Sequence, residues 1–281
     1  MLLNQSMSKH SRVAAVVCVV GLAIASWASA QTAPATPVTD QHVYETWRAW
    51  ITKQPPGDRE KVLDRYKQVL AEQGLAAAEI ERRLRVITEH GKKLEIDLWN
   101  RILTAEKPIF NTKPNQFLVR MIEGRRPGAA LDVGMGQGRN AIYLAQQGWT
   151  VTGFDPADKA VAAAQADAKK LGVALRTVIA GDETFDFGRD QWDLIVLSYV
   201  TVRHLIGRVQ QSLKPGGLVV LEAYHRDATK DASIGGGVVY DTNELLRLFG
   251  GFRIVHYEDA PAVGDFGMRD TRVVRLAAEK R

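Results

Sequence analysis

The chain contains 281 residues, of which 46% are hydrophobic, 25% are charged and 7% are aromatic. This composition is typical of a globular protein and excludes the disordered, collagen-like and disulfide-rich classes. The length allows one large domain, or one domain with a smaller attachment. The formal net charge of +5 is too small and too scattered to indicate nucleic-acid binding by itself.

Residues 1–30 have the pattern of a secretion signal peptide. Lys9 and Arg12 form a basic start, residues 13–25 are apolar, and residues 28–30 read Ala-Ser-Ala, which is the small-residue pattern of a cleavage site. The apolar run is shorter than the ~20 residues of a membrane-spanning helix. A cleaved signal is therefore favoured over an uncleaved anchor.

Cleavage before Gln31 leaves a mature chain with a formal net charge of +3, because Lys9 and Arg12 are removed and no acid is lost. It also removes Cys18, the only cysteine in the sequence. A mature chain without thiols has no disulfide, cysteine nucleophile or cysteine-bound metal, which fits an oxidising compartment. We expect an exported protein that works in the periplasm and is not inserted in the membrane.

The segment before the main domain divides into a linker, residues 31–39, and a predicted helical arm, residues 40–107. Apolar residues in the arm recur at helical spacing, at Ile80, Leu84, Ile87, Leu94, Leu98 and Ile102. Two roles for this apolar stripe remain open. It packs on the main domain, as surface helices commonly do, or it covers a binding site.

From residue 129, short β-type runs alternate with helical segments, which is typical of parallel strands joined by crossover helices. The predicted strands are 129–133, 150–154, 175–179, 192–198, 218–223, 252–257 and 272–277. The predicted helices among them are 139–147, 157–171, 202–213 and 242–249. Residues 108–281 are therefore predicted to form an α/β domain with a doubly wound, seven-stranded sheet.

A glycine-rich segment, LDVGMGQGRN at residues 131–140, joins the first predicted strand to a helix. Gly134, Gly136 and Gly138 allow a ligand to approach the backbone, and the helix N-terminus offers free N–H groups to a carboxylate or phosphate. The spacing differs from the GxGxxG of dinucleotide-binding proteins, because Arg139 stands where the third glycine is expected. Two acids follow at later strand ends. Asp155 is placed to accept both hydroxyls of a ribose, and Asp182 follows the third strand.

The chain resembles the class I S-adenosylmethionine-dependent methyltransferases over residues 110–276. The resemblance rests on five segments in family order: LDVGMGQGRN, VTGFDPADKAVAAAQ, AGDETFDF, WDLIVLSYV and LKPGGLVVLEAYH. Within the family, GQGRNAIYLAQQGWTVTGFDP is similar to the tellurite-resistance methyltransferases and their small-molecule relatives. The resemblance implies a Rossmann-like, mostly parallel sheet whose last strand is antiparallel.

S-adenosylmethionine is the cofactor that the resemblance implies. The predicted cofactor-binding residues are Asp132, Gly134, Gly136, Gly138, Asn140, Asp155, Asp182 and Ser198. The resemblance implies that Asp132 and the three glycines hold the methionine part of the cofactor. It also implies that Asp155 binds the ribose, that Asp182 binds the adenine amino group and that Ser198 lies beside the sulfonium end.

The acceptor is less well indicated than the cofactor. The tellurite-resistance proteins have a His-Arg pair near their C-terminal strands, whereas residues 263–270 here read VGDFGMRD and contain Arg269 without a histidine. This departure argues against a chalcogen oxyanion. We expect a small-molecule acceptor and no nucleic-acid partner.

The sequence assigns no catalytic base and no metal site. Candidates for a base near the strand ends are Tyr199, His204, Glu222, Tyr224 and His225, and structural roles are open for each. Phe110, Asn111 and Asn115 are expected to close the cofactor pocket. The histidines lack the paired spacing of metal motifs.

The predicted function is methyl transfer by in-line displacement in a pocket at the carboxyl ends of the strands. A non-catalytic cofactor-binding or interaction module of the cell envelope is the alternative. A nicotinamide-dependent oxidoreductase shares the strand-loop-helix arrangement and Asp155, but lacks the third glycine at the required position.

Overall fold

The computed structural model describes residues 38–54, 59–230 and 238–281. The predicted signal peptide and residues 31–37 of the predicted linker lie outside these ranges. Thr39 already belongs to the arm, because its side chain accepts a hydrogen bond from the His42 N–H at 3.2 Å and caps the first helix.

The arm consists of four α-helices. They are α1 (Asp40–Ile51), α2 (Arg59–Glu72), α3 (Ala77–Arg85) and α4 (Gly91–Leu103). A π-helical turn, Val86–His90, joins α3 to α4. The arm is therefore helical over most of its described length, as the apolar spacing predicted.

The arm has a hydrophobic core of its own. Its buried members are Val43, Tyr66, Leu70, Ile80, Val86 and Ile87. The rings of Trp47 and Trp50 lie 4.9 and 4.8 Å from the ring of Tyr66. Four residues of the predicted stripe, Ile80, Leu84, Ile87 and Leu94, thus pack in this arm core, whereas Leu98 and Ile102 lie outside it.

The main domain is built on a single sheet. Its strands are β1 (Ala129–Val133), β2 (Thr150–Asp155), β3 (Leu175–Ile179), β4 (Trp192–Ser198), β5 (Leu213–His225), β6 (Val239–Tyr240), β7 (Arg253–Val263) and β8 (Asp270–Glu279). The order is β3-β2-β1-β4-β5-β8-β7, with β6 paired to β5. Strands β1 to β5 pair in parallel, and β8 lies antiparallel between β5 and β7. The antiparallel last strand is confirmed.

Helices cover both faces of this sheet, since alternate side chains of each strand point to opposite faces. The helices are α5 (Gln116–Ile122), α6 (Arg139–Gln146), α7 (Asp158–Lys170), α8 (Ile206–Ser212) and α9 (Glu244–Leu248). Leu131 and Ile195 pack with Val209 of α8 in one core cluster. Ala130 and Leu194 pack with residues of α5 and α6 in another. The doubly wound α/β class is confirmed.

Besides small shifts of element ends, the structure differs from the sequence prediction in the following details. The short strand β6 was not predicted, because two residues are too few to give a pattern. Residues 214–217, predicted to be a turn before the fifth strand, form a bulge within β5, where the register with β4 shifts and Gly216 has φ +75°. Helix α8 begins at Ile206 instead of residue 202.

No helix within the described ranges is long and apolar enough to cross a membrane.

Candidate functional site

The loop between β1 and α6 is shaped by three glycines with left-handed backbone angles. The φ values are +64° at Gly134, +56° at Gly136 and +81° at Gly138. A Cβ atom on Gly134 would lie 2.7 Å from a Val200 methyl carbon, and one on Gly138 would lie 2.9 Å from Ala164 Cβ. Side chains are therefore excluded twice, by backbone strain and by lack of space. The glycines let this loop pack closely against Val200 and Ala164.

Asp132, near the end of β1, has an unpaired carboxylate oxygen. The side chain is buried, one oxygen accepts the Ala141 N–H of α6, and Oδ2 has no hydrogen-bond partner among the described residues. Burial raises the pKa of Asp132 to about 7, against the opposing charge of Arg139. An unpaired buried oxygen is costly, so it is explained best by a donor that a ligand supplies.

Asp155, the last residue of β2, is held in a fixed orientation. Its Oδ2 accepts the Gly136 N–H at 2.9 Å, and its Oδ1 accepts the Ala157 N–H at 2.8 Å. Burial raises its pKa, and the two backbone N–H groups oppose that shift. A carboxylate oxygen can accept two hydrogen bonds, and each oxygen of Asp155 accepts one from the backbone. Both oxygens can therefore also accept a hydrogen bond from a hydroxyl group.

The other predicted side chains lie in two separate pairs. Asn140 Nδ2 donates to Ser198 Oγ at 3.1 Å, and Asn140 Oδ1 accepts the Asn115 N–H at 2.9 Å, so Asn140 joins β4 to the segment before α5. Asp182 lies in the loop after β3, where its Oδ2 is 2.7 Å from Nε2 of His204. The structure thus brings Asp155 to Gly136 and Asn140 to Ser198, with Asp182 paired elsewhere.

The connection between β7 and β8 adds a residue that the sequence analysis missed. Asp265 Oδ2 accepts hydrogen bonds from Arg139 Nη2 at 2.6 Å and from Asn115 Nδ2 at 3.0 Å. Its Oδ1 accepts from Asn111 Nδ2 at 2.9 Å. Asn111 and Asn115 were expected to close the pocket. In the structure, both side chains donate hydrogen bonds to Asp265. No local pattern marks this aspartate, because its partners are more than a hundred residues away.

The candidate bases are engaged in contacts within the protein. Tyr199 donates to Glu222 Oε1 at 2.6 Å, and Arg275 Nε donates to Glu222 Oε2 at 2.6 Å. Burial and the nearby Glu222 carboxylate raise the pKa of Tyr199 well above its usual value. Tyr224 donates to the Phe266 carbonyl at 2.8 Å, and His225 Nε2 lies 3.0 Å from Thr242 Oγ1. The geometry assigns none of them as a base.

Helix α4 of the arm lies beside the glycine loop. The methyl carbons of Leu103 lie 3.3 and 3.4 Å from where a Cβ on Gly136 would stand. The Trp99 ring contacts the Phe266 ring edge-on, with 6.1 Å between ring centroids. The arm therefore contributes to the surroundings of the site, which only one of the two sequence interpretations anticipated.

Residues 130–217 match the family model described as a methyltransferase domain. The chain carries a class I methyltransferase domain. The matched segment contains β1, the glycine loop, Asp155 and Asp182. The cofactor of this family is S-adenosylmethionine, and the residues present fit it, because the buried Asp132 Oδ2 lacks a hydrogen-bond donor that an ammonium group would supply.

The names of the curated relatives of this domain indicate different methyl acceptors. The chain is 34% identical over 120 residues to a ubiquinone biosynthesis O-methyltransferase from Paramagnetospirillum magneticum, covering 41% of this chain and 46% of that protein. It is 26% identical over 161 residues to the ribosomal RNA small subunit methyltransferase C of Alcanivorax borkumensis, covering 49% of each. The chain spans about half the length of the curated relatives it matches.

Among solved structures, TehB from Haemophilus influenzae has a similar fold. The TM-score is 0.52 and the sequences are 19% identical, over 59% of this chain and 62% of that chain. The similarity confirms the Rossmann-like fold of the methyltransferase domain.

Proposed function

We propose that this protein transfers a methyl group from S-adenosylmethionine to a small-molecule acceptor. The observation that carries the proposal is the glycine loop with a buried carboxylate at each of two adjacent strand ends, one with an unpaired oxygen. Ligands of open α/β sheets bind at the carboxyl ends of the strands, which is where these groups lie.

The binding roles follow from the chemistry of each group. Asp132 Oδ2 accepts an N–H of the cofactor's ammonium group, and the backbone of the glycine loop receives its carboxylate. Asp155 accepts the ribose hydroxyls from an orientation fixed by two backbone N–H groups. The family resemblance assigns Asp182, after β3, to the adenine amino group and Ser198, at the end of β4, to the sulfonium end.

When bound, the cofactor supplies an electrophilic methyl group on a positively charged sulfur. The protein needs chiefly to hold the acceptor in line with that methyl group and to exclude water. Phe266 and Trp99 border the strand ends with apolar surface. Because Tyr199 stays protonated and Glu222 is ion-paired, the proposal includes no general base from this pair.

A small acceptor is supported by the apolar side chains beside the glycine loop. Leu103 of α4 lies against Gly136, and Phe266 of the connection between β7 and β8 contacts Trp99. The ubiquinone biosynthesis relative is named for a small-molecule pathway, and the ribosomal RNA relative supplies the competing acceptor class.

Calorimetry and transfer assays test the proposal together. We expect the chain to bind S-adenosylmethionine and its demethylated product, S-adenosylhomocysteine, and not NAD. Transfer of a radiolabelled methyl group to a small-molecule fraction, and not to total RNA, supports the proposal. Labelling of RNA contradicts the acceptor class, and binding without transfer to either fraction supports a non-catalytic cofactor-binding module instead.

The site of action is a separate proposal. The basic start, the apolar run and the Ala-Ser-Ala sequence at residues 28–30 support export to the periplasm. Fractionation of cells that carry a tagged chain tests this, and recovery with cytoplasmic markers would contradict it.

A further inference from the structure

Helix α4 contacts the main domain at four points. Lys92 Nζ lies 3.1 Å from Glu183 Oε2, in the loop after β3. Near the other end of the helix, Leu103 lies on Gly136 and Trp99 meets Phe266. Between them, Asn100 is buried and bonded to the beginning of α7.

The Asn100 contact is the most specific of the four. Its Nδ2 donates to Asp158 Oδ1 at 2.7 Å, and its Oδ1 accepts the Lys159 N–H at 2.9 Å. The Asn100 amide therefore caps the N-terminus of α7, which begins three residues after Asp155. A capping contact of this kind favours one position of a helix without locking it.

The four points follow the outline of the proposed cofactor pocket. Glu183 is next to Asp182, which is assigned to adenine, and Asp158 is close in sequence to Asp155, which is assigned to ribose. Gly136 belongs to the glycine loop, which is assigned to the methionine part, and Phe266 lies in the connection between β7 and β8. One helix thus contacts residues at or beside each of the three assigned parts of the cofactor.

The arm is held together by a hydrophobic core of its own. Its core is formed by its own residues, including Val43, Tyr66 and Ile80. The Lys92–Glu183 pair is exposed at both side chains, so it adds little to the attachment. We therefore expect a hinged movement of the arm to break chiefly the contacts of α4.

We propose that α4 is the outer wall of the cofactor pocket and that cofactor enters and leaves when α4 separates from the strand ends, with Asn100 and Leu103 as positioning residues. This inference rests on the proposed function, because it presupposes that S-adenosylmethionine binds at the glycine loop. It adds the arm, residues outside the matched methyltransferase domain, to the binding site.

A reversible cross-link tests the movement. In the full chain with Cys18→Ser, the variant Lys92→Cys with Glu183→Cys is joined by a short bis-maleimide that contains a cleavable disulfide. We expect the association and dissociation rates of S-adenosylmethionine, measured by stopped flow, to fall roughly tenfold or more, and to recover on reduction. Unchanged rates in the cross-linked protein would overturn the proposal.

The matched control lies within the arm. Lys67 and Glu81 form another exposed ion pair, with Nζ and Oε1 2.7 Å apart. Cross-linking Lys67→Cys to Glu81→Cys should leave the exchange rates unchanged, since it does not join the arm to the domain. Equal slowing in this control would show a general effect of the reagent and overturn the proposed movement of α4.

A second measurement needs neither cross-linker nor turnover. Amide hydrogen exchange in α4 should slow when S-adenosylhomocysteine binds, and Asn100→Ala should raise the cofactor dissociation rate roughly fivefold or more. Gln41→Ala, which removes a side-chain hydrogen bond to Glu45 inside the arm, is the control. If S-adenosylhomocysteine binds but hydrogen exchange in α4 does not change, α4 is not the wall of the cofactor pocket. If the unmodified chain does not bind it, the proposed function itself is contradicted.

Discussion

Arg139 Nη2 lies 2.6 Å from Asp265 Oδ2, although the two residues are 126 positions apart. Arg139 is the first residue of α6, directly after the glycine loop, and Asp265 lies in the connection between β7 and β8. Both side chains are about nine-tenths buried, at 12% and 11% exposure. This ion pair gives Arg139 a structural role, because it attaches the end of the glycine loop to the connection between β7 and β8.

Removing Asp265 should destabilise the protein strongly. Asp265→Ala leaves Arg139 with its charge buried and also takes away the acceptor of Asn111 and one of the two acceptors of Asn115, so we expect a loss of about 2–4 kcal/mol in the free energy of unfolding. Urea unfolding measures it. Asp270→Ala, at the exposed start of β8, is the control and should change stability by less than about 0.5 kcal/mol. Similar losses in both variants would contradict the role of the pair.

The raised pKa of Asp132 should appear in the pH dependence of stability. A carboxyl group with a pKa of about 7 in the folded protein and about 4 unfolded holds its proton more tightly when folded. Its contribution to stability is therefore complete below pH 4 and is lost as pH rises to about 7. Asp132→Asn does not titrate, so its stability relative to the natural chain should rise by roughly 2–4 kcal/mol over this range. Parallel pH curves from urea unfolding would contradict the shift.

The same ionisation should govern cofactor binding. Only the charged form of Asp132 pairs well with an ammonium group, so the affinity for S-adenosylmethionine should rise up to about tenfold per pH unit between pH 5.5 and 7. Calorimetry at several pH values measures this dependence. In Asp132→Asn the rise should be absent and the affinity low throughout, and an unchanged profile would remove Asp132 from the ammonium site.

How much the sequence predicts depends on how local each interaction is. The glycine loop and the acids at the strand ends were predictable, because backbone freedom and strand-end position are encoded within a few residues. Asp265 was not, since its role comes from contacts with Asn111, Asn115 and Arg139 that only the folded sheet creates. The arm shows the same limit. Helical spacing predicts its helices but does not tell which neighbour buries the apolar stripe.

Replacement of Asp155 should weaken cofactor binding directly. Asp155→Ala removes charged hydrogen bonds to the ribose and leaves the Gly136 and Ala157 N–H groups without their acceptor, so we expect a loss of about 1.5–3 kcal/mol in binding free energy. Calorimetry with S-adenosylhomocysteine checks it. Asp167→Ala, on the exposed side of α7, should bind normally. An affinity equal to that of the natural chain would refute the ribose assignment.

The exported protein should begin at Gln31. Cleavage after the Ala-Ser-Ala sequence removes the apolar run and Cys18 together. Intact-mass spectrometry of protein from the periplasmic fraction measures the N-terminus. A mass that still includes residues 13–25 would show an uncleaved anchor, and Ala30→Leu should block processing if the cleavage site is correct.

Deleting residues 31–105 should separate the functions of the arm and the domain. Most of the apolar stripe of the arm packs in the arm's own core, and the remaining domain of about 175 residues is large enough to fold alone. We therefore expect cooperative unfolding of the truncated chain, with a lower thermal midpoint because Leu103 and Asn100 no longer cover Gly136 and the start of α7. Cofactor should associate and dissociate faster, and turnover should fall, since water reaches the strand ends. Thermal midpoint, cofactor exchange and turnover, compared between the two chains, distinguish the outcomes. If the arm only stabilises the fold, the folded fraction of the truncated chain will keep both its exchange rates and its turnover.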